Sequence, residues 1–149
     1  MKTTTEQKAG QPEKRVVRAQ LAGSWYDARP AVLQQELKSY MDQVESEKLD
    51  DVIALILPHA GYRFSGPVAA YGARQIAGRG YRRVVVLGPS HRIRLPNQVA
   101  LPEGTHMATP LGEVPFDMEF LAALARHPEF RVLGAALPGE NSIEMQIPL

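Results

Sequence analysis

The sequence predicts an α/β domain with a mostly parallel sheet and flanking helices. Three observations carry this. Val52-Ile53-Ala54-Leu55-Ile56-Leu57 is an unbroken apolar run with no alternation between faces, the pattern of a strand buried on both sides of a parallel sheet. Arg83-Val84-Val85-Val86-Leu87 is a second, β-branched run of the same kind. Between them lies a stretch of helical character, so strand, crossover helix and strand fill the roughly 30 residues that such a unit takes. Each run ends in turn formers and a histidine, Pro58-His59-Ala60-Gly61 and Gly88-Pro89-Ser90-His91, and the two histidines are 32 positions apart. Ligands bind at the carboxyl ends of strands in open α/β sheets. Neighbouring strands lie about 4.8 Å apart, so His59 and His91 are expected to converge on one ion.

The remaining elements follow in order. Residues 1–15 are polar and are expected to form a flexible tail before a single domain over 16–149. Residues 16–21 suit an edge strand, and Trp25 and Tyr26 are expected to pack over the first helix and the sheet. That helix is expected over 27–45, with Leu33, Leu37, Tyr40, Met41 and Val44 on one face and Pro30 in the first turn. A charged connection, 46–51, leads into the first core strand. The crossover helix is expected to start at Ser65, whose hydroxyl would cap it, with Gly66 and Pro67 in the first turn. Val68, Ala69, Gly72 and Ile76 would face the sheet. Glycine within a helix costs about 1 kcal/mol against alanine, so Gly72 marks a close approach of helix and sheet, and Gly78 or Gly80 ends the element. A loop over 92–96 and a short strand over 98–101 come next. Pro110 and Pro115 flank Leu111-Gly112 in an edge hairpin over 108–115. Asp117 would cap a helix bearing Phe120, Leu121 and Leu124. A strand is expected over 130–136. A last helix would begin at Asn141, with Glu144 completing a capping box.

Composition narrows the function classes. The chain of 149 residues is 44% hydrophobic and 22% charged, with no cysteine, so disulfides and thiolate metal ligands from these residues are excluded. No apolar run approaches the roughly 20 residues of a membrane span. The N-terminus has no apolar signal core, and the expected location is the cytoplasm. The net charge of +1 divides unevenly: residues 52–102 hold seven arginines and no acid, +7, and the rest is −6. A basic segment suits an anionic ligand. Topology puts Arg79, Arg82 and Arg83 at the edge opposite the histidines and only Arg63, Arg92 and Arg94 beside them. No nucleic-acid motif accompanies the arginines.

Five ordered motifs, Ala22-Gly23-Ser24-Trp25-Tyr26, Pro58-His59-Ala60-Gly61-Tyr62, Leu87-Gly88-Pro89-Ser90-His91, Thr109-Pro110-Leu111-Gly112 and Ser142-Ile143-Glu144-Met145-Gln146-Ile147-Pro148, together resemble the Memo family, also called AmmeMemoRadiSam system protein B. That family is similar to the class III extradiol dioxygenases, which use non-haem iron. The resemblance implies that His59 and His91 are metal ligands, for Fe(II) or Cu. It implies a third ligand, a carboxylate or in some Memo proteins a cysteine, from a C-terminal half absent from this chain. The chain is therefore expected to be an N-terminal portion of the full fold, truncated at its C-terminus, able to associate with the missing half or with further copies of itself. Two imidazoles plus one anionic ligand suit Fe(II) and oxygen. Where relatives read Glu-His-Ser-Ile-Glu, this chain has Asn141 after Glu140, and asparagine does not titrate.

Three functions are weighed: a dioxygenase-like oxidoreductase acting on a small aromatic substrate, a non-catalytic binding module for an acidic or phosphorylated peptide, and an inactive fragment. Tyr62, Arg63, Ser90 and Arg92 are the candidate substrate-binding residues. Glu144 is read as a helix cap, and His106 and His127 as surface or turn residues.

Overall fold

The computed structural model describes residues 13–45 and 49–149. Most of the expected tail, and residues 46–48 of the charged connection, lie outside the described residues. The elements run β1 (Val16–Arg18), α1 (Pro30–Asp42), α2 (Tyr62–Ile76), β2 (Val99–Leu101), β3 (His106–Thr109), β4 (Gly112–Pro115), α3 (Met118–Leu124), β5 (Phe130–Val132) and α4 (Asn141–Glu144). The strands form two small sheets, ordered β1-β3-β4 and β2-β5. The β1–β3 and β2–β5 pairs are parallel, and β3–β4 is the expected antiparallel hairpin. The chain is thus α/β, with parallel pairing dominant.

The two long apolar runs depart from expectation. Residues 52–57 and 84–87 carry no ladder partner among the described residues. A buried parallel strand needs hydrogen-bonded neighbours and cover on both faces. Here α2 covers one side: a Cβ on Gly72 would run into the side chain of Leu57 and come within 3.8 Å of Leu55 Cδ1. The close approach inferred for Gly72 is real. Other positions of both runs are bare, with Ile53 97% exposed and Ile56, Val84, Val85 and Leu87 also exposed.

Helix α2 starts four residues earlier than the sequence suggests. Gly61 takes the capping position and Ser65 lies inside the first turns, where its hydroxyl donates to Ala60 O over 2.7 Å. Pro67 sits within the helix, at the loss of one intrahelical hydrogen bond. The buried face is built from Ser65, Gly66, Ala69, Ala70 and Ala73, whereas Val68 is exposed. Small residues let α1 come close: a Cβ on Gly66 would lie 2.5 Å from Tyr40 Cε2. Asp117 caps α3 as expected, accepting from Phe120 N. The cap of α4 is Glu140, accepting from Ser142 N, and not Asn141. The core gathers Leu21, Tyr26, Leu33, Leu37, Tyr62 and Met145, so the N-terminal loop, α1, the start of α2 and the end of α4 share one apolar centre.

Candidate functional site

The ends of the two apolar runs bring His59 and His91 together. Their ring centroids are 5.4 Å apart and the rings are inclined by 60°. His59 is half-buried and the side chain of His91 is 41% exposed. Behind His91 stands Glu140, only 2% exposed. Its Oε2 accepts from the His91 backbone N–H at 2.8 Å, and its Oε1 lies 2.7 Å from His91 Nδ1. Ser142 N donates to Oε1 over 3.0 Å, with the Ser142 hydroxyl 2.8 Å away. Burial works to raise the Glu140 pKa, but the hydrogen bonds from His91 and Ser142 outweigh it and hold the carboxyl at about 2.

The segment over 140–146 ties both histidine loops together. The Ser142 hydroxyl lies 3.1 Å from Pro89 O, just before Ser90 and His91. Gln146 Nε2 donates to Pro58 O over 3.1 Å, beside His59, and Gln146 Oε1 is buried without a hydrogen-bond partner among the described residues. Neither Glu140 nor Gln146 was singled out by sequence reasoning. Glu140 lies two residues before the motif that begins at Ser142 and Gln146 lies inside it, and their contacts span 49 and 88 positions.

Two nitrogen donors with a carboxylate behind one of them fit part of a coordination sphere, because metal-ligating histidines ordinarily donate their second ring N–H to such a group. Among the described residues no three His, Cys, Asp or Glu side chains gather into a metal-sized cluster.

The other candidates are dispersed. Tyr62 is a core residue: it is 1% exposed, its hydroxyl donates to Met145 O over 2.8 Å, and its ring centroid lies 5.4 Å from that of Tyr26. Ser90 Oγ accepts from Ile93 N at 3.2 Å and closes a turn. Arg63 is exposed, with its guanidinium 4.7 Å from the Phe64 ring centroid. It lines an open groove of about 500 Å³ with Trp25, Asp27, Arg29 and Glu36. Arg92 is exposed, and a Cβ added at Gly139 would lie 3.4 Å from its guanidinium. Glu144 is not a cap: it is fully buried and accepts from Gln20 N, Leu21 N and the Tyr26 hydroxyl. Arg83 pairs with Asp117 at 2.6 Å and lies over Phe120, and Arg79 donates to Leu49 O. His106 Nδ1 lies 2.9 Å from Thr105 Oγ1, and His127 packs on Phe130. No helix among the described residues is long and apolar enough to cross a membrane.

Fold and site define an α/β protein with a two-histidine edge braced by a buried glutamate. The chain belongs to the Memo-like protein family, whose model matches residues 17–149. It is 33% identical over 139 residues to the MEMO1 family protein MHO1 of Saccharomyces cerevisiae, covering 86% of this chain and 41% of that one. It is 36% identical over 128 residues to the memo-1 homolog of Caenorhabditis elegans, covering 85% and 36% respectively. It is 35% identical over 128 residues to MEMO1 of Homo sapiens, covering 85% and 42%. The chain thus spans about two-fifths of the length of these curated relatives.

Proposed function

We propose that this chain carries the two-histidine part of a non-haem metal site in a dioxygenase-like oxidoreductase acting in the cytoplasm on a small aromatic substrate. The observation behind this reading is the 5.4 Å approach of His59 and His91 with Glu140 bonded to His91. His59 and His91 would hold Fe(II) or Cu, and the metal would supply one-electron chemistry with dioxygen. A further anionic donor would come from polypeptide outside these 149 residues. The same polypeptide would cover the bare faces at Ile53, Ile56 and Leu87. Within this chain, Glu140 and Ser142 hold the His91 loop, and Gln146 holds the loop bearing His59. Asn141 cannot exchange a proton, so proton transfer falls to other groups.

Titrating Fe(II), Cu(II) and Zn(II) into the chain and into His59→Ala and His91→Ala variants tests the reading. Two protein nitrogens are fewer donors than a structural or catalytic ion usually takes, so the chain alone is expected to bind weakly, and both variants to lose that binding. Binding untouched by either substitution overturns the ligand assignment. Tight 1:1 binding lost in both variants keeps the ligands and removes the need for an outside donor.

A second reading, a cleft for an acidic or phosphorylated peptide, is supported by Arg63 and Arg92. Both are exposed, and neither has an acidic partner among the described residues.

A further inference from the structure

Glu140 meets His91 at two points. One carboxylate oxygen takes the backbone N–H at 2.8 Å and the other faces ring Nδ1 at 2.7 Å. The backbone contact fixes where the residue sits, and the ring contact fixes how the imidazole is turned. Glu140 is itself held: it is almost fully buried, it starts α4, and the N–H and hydroxyl of Ser142 lie at 3.0 and 2.8 Å from Oε1. Capping α4 requires only the contact to Ser142 N. Orienting a ring that is 41% exposed adds nothing to that cap. The ring contact instead dictates which imidazole nitrogen carries the proton, because a carboxylate offers no hydrogen to share.

We infer that Glu140 is a positioning residue: its carboxylate holds His91 as the Nδ1–H tautomer, leaving Nε2 as the open nitrogen of the His59–His91 pair. The consequence for metal affinity rests on the proposed function above, whereas the tautomer itself does not. The role is distinct from that of Gln146, which holds the His59 loop through the backbone carbonyl of Pro58.

The experiment uses the full, metal-free chain, labelled with ¹⁵N, and long-range ¹H–¹⁵N correlations of the histidine rings near neutral pH. In the wild type, His91 should show a protonated Nδ1 and an unprotonated Nε2. Glu140→Gln removes the charge and offers an amide N–H₂ in its place, so His91 should shift toward the Nε2–H form while the His59 signals stay put. Glu140→Asp, which retains a carboxylate, should restore part of the Nδ1–H preference. Zn(II) titrated into the same samples and read at His91 Nε2 should bind about 10- to 100-fold more weakly to Glu140→Gln. A wild-type His91 protonated on Nε2 overturns the inference, even if the variants fail to fold. So does a Glu140→Gln chain with unchanged tautomer and unchanged Zn(II) affinity. If the tautomer is as stated but Zn(II) perturbs neither histidine, the positioning role stands and the metal reading fails.

Discussion

Glu144 lies fully buried beside Tyr26, whose hydroxyl donates to Glu144 Oε1 over 2.9 Å. The same carboxylate accepts from Leu21 N at 2.7 Å and Gln20 N at 3.0 Å, across 123 and 124 positions of sequence. A buried carboxylate is tolerated only when its acceptors are met, and here three donors meet them. Glu144→Ala would leave those donors unpaired in the interior, at about 1–3 kcal/mol for each group that water cannot reach. We expect at least about 3 kcal/mol of destabilisation by urea unfolding. A loss below about 1 kcal/mol would show that the N-terminal loop does not depend on this contact.

The buried tyrosines make the chain sensitive to alkali. Burial pushes the Tyr26 phenol well above its ordinary value, helped by its hydrogen bond to Glu144, and burial does the same for Tyr62, helped by the nearby Tyr26, Glu36 and Glu144. Burial, with a hydrogen bond to Glu36, raises Tyr40 to about 12. The folded state therefore keeps protons that the unfolded chain releases near pH 10, so stability falls as pH rises through 10 toward 12. The urea midpoint should drop across that window, and tyrosinate absorbance from these residues should rise together with unfolding. Ionisation of all three near pH 10 with the fold intact would contradict the prediction.

Gly88 is required for space. A Cβ there would run into Ser142 Oγ and lie 2.9 Å from Ser142 Cβ and 3.0 Å from Ile143 Cγ1. Gly88→Ala should cost about 1–3 kcal/mol through overpacking and loosen the His91 loop from α4. Gly80, where an added Cβ meets nothing within 4 Å, is the matched control, and Gly80→Ala should cost much less. Equal effects of the two substitutions on the thermal midpoint would remove the packing explanation.

Arg63 and Arg92 decide the anion-binding reading. If they hold an acidic or phosphorylated peptide, replacing both with alanine should weaken binding of a phosphopeptide probe to the metal-free chain and flatten its salt dependence. Unchanged affinity at low salt would assign both arginines to the solvated surface.

What the sequence determined by itself is local or carried by motif order. The Asp117 cap, the hairpin around Leu111-Gly112, the face of α1 bearing Leu33 and Leu37, and the tight approach at Gly72 depend on residues a few positions apart or on the absence of a side chain. The placement of His59 and His91 at the ends of two apolar runs belongs here too, as does membership of the family. Only the tertiary structure decided the rest. An apolar run becomes a strand only if something pairs with it, and residues 52–57 and 84–87 carry no ladder. Ser65 and Asn141 have side chains able to cap, yet the backbone starts α2 at Tyr62 and gives the α4 cap to Glu140. Tyr62 resembles a site residue in its motif but spends its hydroxyl on Met145 O, 83 positions away. Glu140 and Glu144, four residues apart, serve a histidine loop and a buried N-terminal turn respectively. Which donors reach a buried carboxylate depends on chain segments that meet only on folding, and no local pattern encodes that meeting.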